Sequence, residues 1–357
     1  MSILGTRVIR TEDPRLLTAG GVYVDDVREP ELEGAARATF VRSTVAHALI
    51  TGIDKSEALA QPGVIAVLTA ADMDDLPPPP PPAEPDPDSP PPEGPMPMGG
   101  AWSEPLLAID RVRFVGEPVA IVLTDSTYQG EDAAELVSVD YEPLPAVPSI
   151  EAALADDSLL FPDAGTNVCT KRDGDFSDDS VFDGCDVIVE GDIINQRVAC
   201  LPMEGRSTAA AFVNGKLSVW TSTQNAQIAR FILTAIGLPP DAIRVVAPDV
   251  GGGFGAKIGV DRESIVVAWA AKHTGRPVRW VETRNENLLA MTQGRAQVHH
   301  IKIGGTRDGR IKAYRLDVIQ DTGAYPRMSG FLSFLTVNRD MNDLSWFDLP
   351  NVICVNA

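Results

Sequence analysis

The chain has 357 residues, 44% of them hydrophobic, enough for two or three globular domains. Its net charge of −20 leaves no excess of cations for phosphates and argues against nucleic acid as a partner. No apolar run reaches the length of a membrane span, and Met1-Ser2-Ile3-Leu4 opens no signal-peptide pattern, so the expected location is cytoplasmic.

In chain order, Asp13-Pro14 marks a turn into a short helical piece. Gly20-Gly21 then leads into an expected strand ending on Asp25-Asp26. Ala35 to Arg42 reads as a strand, Ser43 to His47 as a turn, Asp54 to Leu59 as a short helix, and Val64 to Leu68 as a buried strand after Pro62-Gly63. Residues 77–100 are dense in proline and acid. They can build neither helix nor ladder and read as a surface excursion. Val112 to Leu123, broken at Gly116-Glu117-Pro118, is a strand–turn–strand. Asp125 or Ser126 can cap a helix reaching Ala134, and Val137 to Tyr141 is a further strand. The expected domain boundary follows Pro148, with 149–170 as linker.

The second domain, 171–357, opens on strands near Val187 to Asn195. Asn214-Gly215 turns a hairpin between Thr208 to Val213 and Lys216 to Thr221. Asn225 to Ile236 has helical spacing, with Gly237 as C-cap and Pro239 beyond. A strand at Ile243 to Val246 precedes a glycine loop. A helix from about Asp261 to Lys272, a strand from Val278 and a hairpin across Asp308-Gly309 follow. The four cysteines (Cys169, Cys185, Cys200, Cys354) form no CxxC pair, which argues against an iron–sulfur or zinc site in this chain. His299 and His300 are adjacent in an alternating run and point to opposite faces, a poor geometry for one metal.

The loop is Gly251-Gly252-Gly253-Phe254-Gly255-Ala256-Lys257. Four glycines in five positions allow positive φ and let main-chain N–H groups approach an anionic ligand. Phe254 needs something to pack against. Gly251-x-Gly253-x-x-Ala256 also matches a relaxed dinucleotide fingerprint, which would make the chain an NAD(P)-dependent dehydrogenase. Two details count against that. Lys257 to Val260 intervene before helical periodicity begins, and Glu282 lies 29 residues beyond Gly253 (282 − 253), later than the usual spacing of roughly 20.

The run Ser222-Thr223-Gln224-Asn225, then Gly237-Leu238-Pro239, Ile243-Arg244-Val245-Val246 and the glycine loop, resembles the large, molybdopterin-binding subunit of molybdenum hydroxylases. That family includes xanthine dehydrogenase, aldehyde oxidoreductase and aerobic carbon monoxide dehydrogenase. The order Ser43-x-x-Ala46-His47-Ala48, Ile53-Asp54-x-Ser56-x-Ala58, Pro62-Gly63-Val64 and Ala66-Val67-Leu68-Thr69-Ala70 is similar to the family's first domain. The resemblance covers the whole chain but only about the N-terminal half of a family subunit.

It implies an α+β fold: an α/β hammerhead over 1–148, then the first part of a molybdenum-cofactor-binding domain, incomplete at its C-terminus. It implies hydroxylation of an aldehyde, N-heterocycle or similar small substrate with water as oxygen source. By resemblance, Gly252, Gly253, Phe254 and Gly255 lie against the molybdenum end of the pterin, expected in its cytosine dinucleotide form. Gln224 donates to a molybdenum oxo ligand. The bare alternative for Gln224 is a cap on the following helix. No residue of this chain is expected to ligate the metal directly, and the catalytic glutamate base is expected in the missing half. FAD and [2Fe-2S] clusters are expected on partner subunits. The isolated chain is expected to be inactive, either as half of a split subunit or as a non-catalytic truncation. Glu204 and Arg206 are expected to form a structural ion pair, and Lys257 to be solvated or paired. Ile258 stands where purine-oxidising members carry a substrate-binding glutamate, which disfavours a xanthine-type substrate.

Overall fold

The computed structural model describes residue 5 and residues 10–77, 102–172, 179–327 and 351–355, the last five and residues 170 and 172 by backbone alone. The strands are β1 (Ala36–Arg42), β2 (Ala48–Asp54), β3 (Val64–Thr69), β4 (Arg111–Val112), β5 (Pro118–Thr124), β6 (Ser138–Pro143), β7 (Val168–Arg172), β8 (Val187–Asn195), β9 (Ser207–Val213), β10 (Lys216–Thr221), β11 (Ile243–Val246), β12 (Val278–Val281), β13 (Gln297–Gly305), β14 (Ile311–Asp321) and β15 (Asn351–Val355). The helices are α1 (Asp13–Thr18), α2 (Ser56–Leu59), α3 (Thr127–Glu135), α4 (Ile150–Ala155), α5 (Ala226–Ile232), α6 (Arg262–Thr274) and α7 (Arg284–Ala290).

Seven strands form the main sheet, in the order β11-β10-β9-β12-β1-β5-β3. Early and late strands meet where β1 runs parallel to β12, with Ala36 opposite Val278. Every residue of β5 is buried, because helices cover both faces of the sheet there. Ile121 and Leu123 join Phe40 and α6 in one apolar cluster, while Val122 joins Ala58 and Ala133 of α2 and α3 in another. That split follows the two-residue period of a strand.

Helix α6 is buried all round from Arg262 to Ala271, so it is a core helix rather than an amphipathic surface one. Asp261 caps it by accepting from the Ser264 N–H at 3.1 Å. A second sheet has the order β7-β15-β14-β13-β8, and a third the order β4-β2-β6. His299 and His300 lie on β13; His299 bonds Gln297 and His300 bonds Asp192 across the strand pair.

Several expectations change. The strand expected after Gly20-Gly21 is a 3-10 turn, Val24–Asp26, whose Val24 packs against Trp220. Strand β2 went unread, because Gly52 and a polar outer face blur its alternation. Residues 149–170 hold α4 and the start of β7, and Ala153, Leu160 and Phe161 are buried with Tyr325. Of the proline-rich stretch 77–100, all but Pro77 lies outside the described residues. Among the described residues no helix is long and apolar enough to cross a membrane.

Candidate functional site

The glycine loop lies between β11 and α6, and two neighbouring segments hold it. The first follows β10. Thr223 Oγ1 donates to the Gly259 carbonyl at 2.6 Å, and the Gln224 N–H donates to the Lys257 carbonyl at 2.8 Å. Asn225 caps α5, accepting from the N–H groups of Gln227 and Ile228 at 3.1 and 3.0 Å. The helix cap is therefore Asn225, and Gln224 turns the other way. Its Oε1 accepts from the N–H of Gly255 at 2.9 Å and of Lys257 at 3.3 Å. Both partners are donors, which assigns that atom as the carbonyl oxygen and leaves the NH₂ with no acceptor among the described residues.

The second segment is Leu201 to Arg206. Arg284 donates to the carbonyls of Pro202 and Met203 at 2.7 and 3.0 Å and pins it. Glu204 Oε2 accepts from the Gly251 N–H at 2.8 Å and from Lys257 Nζ at 3.0 Å. The Lys257 ammonium is buried, and burial pushes its pKa down against the pull of Glu204. The expected Glu204–Arg206 pair does not form. Arg206 instead bonds Glu282 (Nε to Oε1, 2.7 Å), Asp261 (2.7 Å) and Glu263 (3.0 Å). Its guanidinium faces the buried start of α6, where three carboxylates need a cation and Glu204 already has one.

Within the loop the Ala256 N–H bonds the Gly253 carbonyl at 2.9 Å. The N–H groups of Gly252, Gly253 and Phe254 meet no acceptor among the described residues. Gly252 has φ +100° and Phe254 φ +54°. Three consecutive amides without an acceptor are donors suited to anionic or oxygen-rich groups. Gly253 is dictated by close approach, since a Cβ there would sit 2.4 Å from Gln224 Oε1. The Phe254 ring does not pack into the protein as expected. It leans over Gly252 and stays 73% exposed.

The loop is not a dinucleotide junction. Helix α6 starts at Arg262, and its first turn is already occupied by Asp261. The helix that follows the loop therefore does not open within it, as the dinucleotide fingerprint requires. All five sequence-singled residues (Gln224, Gly252, Gly253, Phe254, Gly255) do come together. Sequence reading missed the ionic ground beneath them. Arg262 bonds Glu117 at 3.1 Å and pairs with Glu104, and Glu263 bonds Arg42 at 2.9 Å. These partners are separated by more than 140 residues, and no local signal announces them. Cys200, also missed, places Sγ 3.8 Å from the Phe254 carbonyl.

Three amides without an acceptor among the described residues, beside the unpaired Gln224 NH₂, are donors that fit an oxygen-rich cofactor such as a molybdenum–pterin group. Residues 18–145 match the model of the aldehyde oxidase and xanthine dehydrogenase a/b hammerhead domain, and residues 160–353 that of the molybdopterin cofactor-binding domain. The chain is 36% identical over 330 residues to the nicotine 6-hydroxylase large subunit of Paenarthrobacter nicotinovorans, covering 91% of this chain and 39% of that one. It is 33% identical over 363 residues to the carbon monoxide dehydrogenase large chain of Afipia carboxidovorans, covering 95% and 43%. The crystal structure of quinoline 2-oxidoreductase from Pseudomonas putida 86 matches with a TM-score of 0.84 at 32% identity, covering 99% of this chain and 44% of that one. The chain thus spans about two fifths of the length of these relatives. With both domain models matched in order, the chain belongs to the molybdenum hydroxylase family of aldehyde oxidases and xanthine dehydrogenases and carries the hammerhead and a molybdopterin cofactor-binding domain of its large subunit.

Proposed function

We propose that this chain is the part of a molybdenum hydroxylase that cradles the molybdenum end of the pterin cofactor, in an enzyme that oxidises an N-heterocycle, aldehyde or similar small substrate. The observation that carries this reading is the pairing of the free Gln224 NH₂ with three free amides on one loop. When bound, the molybdenum–pterin group supplies a two-electron oxidation that replaces a C–H bond by C–OH with oxygen from water. Gln224, Gly252, Gly253, Phe254 and Gly255 form the protein side of that contact. Gln224 donates without adding charge, which leaves the redox group's own charge unaltered. The exposed Phe254 ring gives a flat, apolar wall against which an aromatic substrate can lie. Lys257 takes no part in ligand binding, since its ammonium is spent on Glu204.

Nicotine and quinoline, in the names of two relatives, are both N-heterocycles, which favours that class. Ile258 offers no hydrogen bond to a purine ring, which counts against xanthine. The reading includes a pterin in its cytosine dinucleotide form and a glutamate base on the remaining part of the large subunit. It also includes FAD and [2Fe-2S] clusters on partner subunits. A cytoplasmic setting belongs to the same reading.

The test is purification from the native host with all associated chains, elemental analysis for molybdenum, and turnover of pyridines, quinolines and aldehydes with an artificial electron acceptor. Near-stoichiometric molybdenum with heterocycle turnover is the expected result. Partner chains without molybdenum would sink the proposal.

A further inference from the structure

The seven amides of the loop divide cleanly. Gln224 Oε1 takes those of Gly255 and Lys257, the Gly253 carbonyl takes that of Ala256, and Glu204 Oε2 takes that of Gly251. Among the described residues only the amides of Gly252, Gly253 and Phe254 find no acceptor. Two side chains therefore select which donors face outward. Gln224 was singled out from sequence as a ligand-facing residue; Glu204 was read as a structural partner of Arg206.

We propose that Glu204 is a positioning residue for the cofactor loop, acting as the counterpart of Gln224; this rests on the proposed cofactor site. One oxygen, Oε2, bonds both the Gly251 amide and Lys257 Nζ, so a single atom ties the two ends of the loop. The backbone repeats the tie: the Glu204 N–H donates to the Gly251 carbonyl at 3.1 Å, and the Glu204 carbonyl accepts from Lys257 Nζ at 2.9 Å. The approach is tight, with an ideal Cβ on Gly251 lying 2.5 Å from Glu204 Cβ. The Lys257 ammonium lies beside the carboxylate as its counter-charge, and the carboxylate oxygen accepts from both donors at once. Outside the loop its one side-chain partner among the described residues is the Ser207 hydroxyl at 3.4 Å. The load of the surrounding sheet falls on Arg206 and its three carboxylates instead.

The experiment compares Glu204→Ala, Glu204→Gln and Glu204→Gln/Lys257→Met with wild type in the enzyme as purified from its host. Molybdenum is measured per folded chain, and amide deuterium exchange is followed in residues 251–257 and in the β9–β10 hairpin. Glu204→Ala is expected to lose about tenfold or more in molybdenum occupancy, the usual scale for an outer-shell partner. Its loop exchange should rise while the hairpin stays unchanged. The double variant keeps an acceptor for Gly251 and carries no unpaired charge. It folds without the Glu204–Lys257 ion pair and recovers most of the occupancy, which a purely electrostatic structural role does not predict. Wild-type loop exchange in Glu204→Ala would overturn the proposal, as would no recovery in a folded double variant. Wild-type enzyme without molybdenum would sink the cofactor reading, while the exchange arm still decides the role of Glu204.

Discussion

Arg42 on β1 donates from Nη1 to Glu263 Oε1 on α6 at 2.9 Å, across 221 residues of sequence. Glu263 also accepts from Arg206, and both carboxylate oxygens are engaged away from water. Burial works to raise the Glu263 pKa, yet the guanidiniums of Arg206 and Arg42 hold it well below the usual carboxylate range. Glu263→Gln removes the charge and leaves two buried guanidiniums short of a partner. The expected cost is about 3–5 kcal/mol, the scale for breaking a buried ion pair from one side. Urea unfolding of variant and wild type measures it.

Arg15 on α1 forms a bidentate pair with Asp249, at 2.7 Å for each bond, just before the glycine loop. The Arg15 guanidinium and the Val22 N–H together lower the Asp249 pKa to about 2. Because the folded value is depressed, the contribution is present above the ordinary aspartate value and is lost as pH falls towards about 2. Limited proteolysis of the 10–25 segment is expected to accelerate across that window. Asp249→Asn should show fast cleavage at every pH.

Two glycines of the loop separate crowding from backbone strain. Gly253→Ala drives a Cβ into Gln224 Oε1, whereas at Gly255 a Cβ meets nothing within 4 Å but the backbone sits at φ +91°. Gly255→Ala is expected to cost about 1–2 kcal/mol in stability, the scale for an L-residue held at positive φ, with molybdenum occupancy retained. Gly253→Ala is expected to displace Gln224 and abolish occupancy. Elemental analysis alongside thermal unfolding distinguishes them.

Phe254→Ala removes a ring that is 73% exposed. Stability is expected to change by less than about 0.5 kcal/mol, as for other surface substitutions. A rise in KM for aromatic substrates, larger than any change in kcat, is expected if the ring stacks on substrate. Steady-state kinetics on quinoline against an aliphatic aldehyde checks it.

The isolated chain, purified without associated polypeptides, is expected to give no hydroxylation with a dye acceptor. Its described residues offer donors and an apolar wall at the loop, while the nearby carboxylates Glu204, Glu263 and Glu282 are all committed to cations. Turnover by the chain alone would show that a base lies within it.

What the sequence revealed of this site followed the range of each interaction. The hairpin at Asn214-Gly215 and the C-cap at Gly237 are local devices and were legible as such, and the start of α6 was legible to within a residue. Gln224 and the loop glycines were legible because their motif is compact. The partner of Arg206 was misjudged because nearness in sequence to Glu204 suggested a pair, whereas Lys257 reaches Glu204 from the far side of the loop. The open ring of Phe254 was likewise unreadable, since residue type implies burial while the backbone at φ +54° turns it outward. The register of β1 beside β12 left no periodic trace at all, because parallel pairing between remote strands has no sequence period of its own.

That pairing bears on how the chain is made. Ala36 must wait for Val278, 242 residues later (278 − 36), before its edge of the main sheet is closed. At typical synthesis rates the wait is on the order of ten to fifty seconds. Until then β1, β5 and β3 can form only a ribbon whose largely apolar β5 lacks α6 above it. A nascent chain in this state offers a sticky face and an open edge beside the ribosome, the form that chaperones shelter.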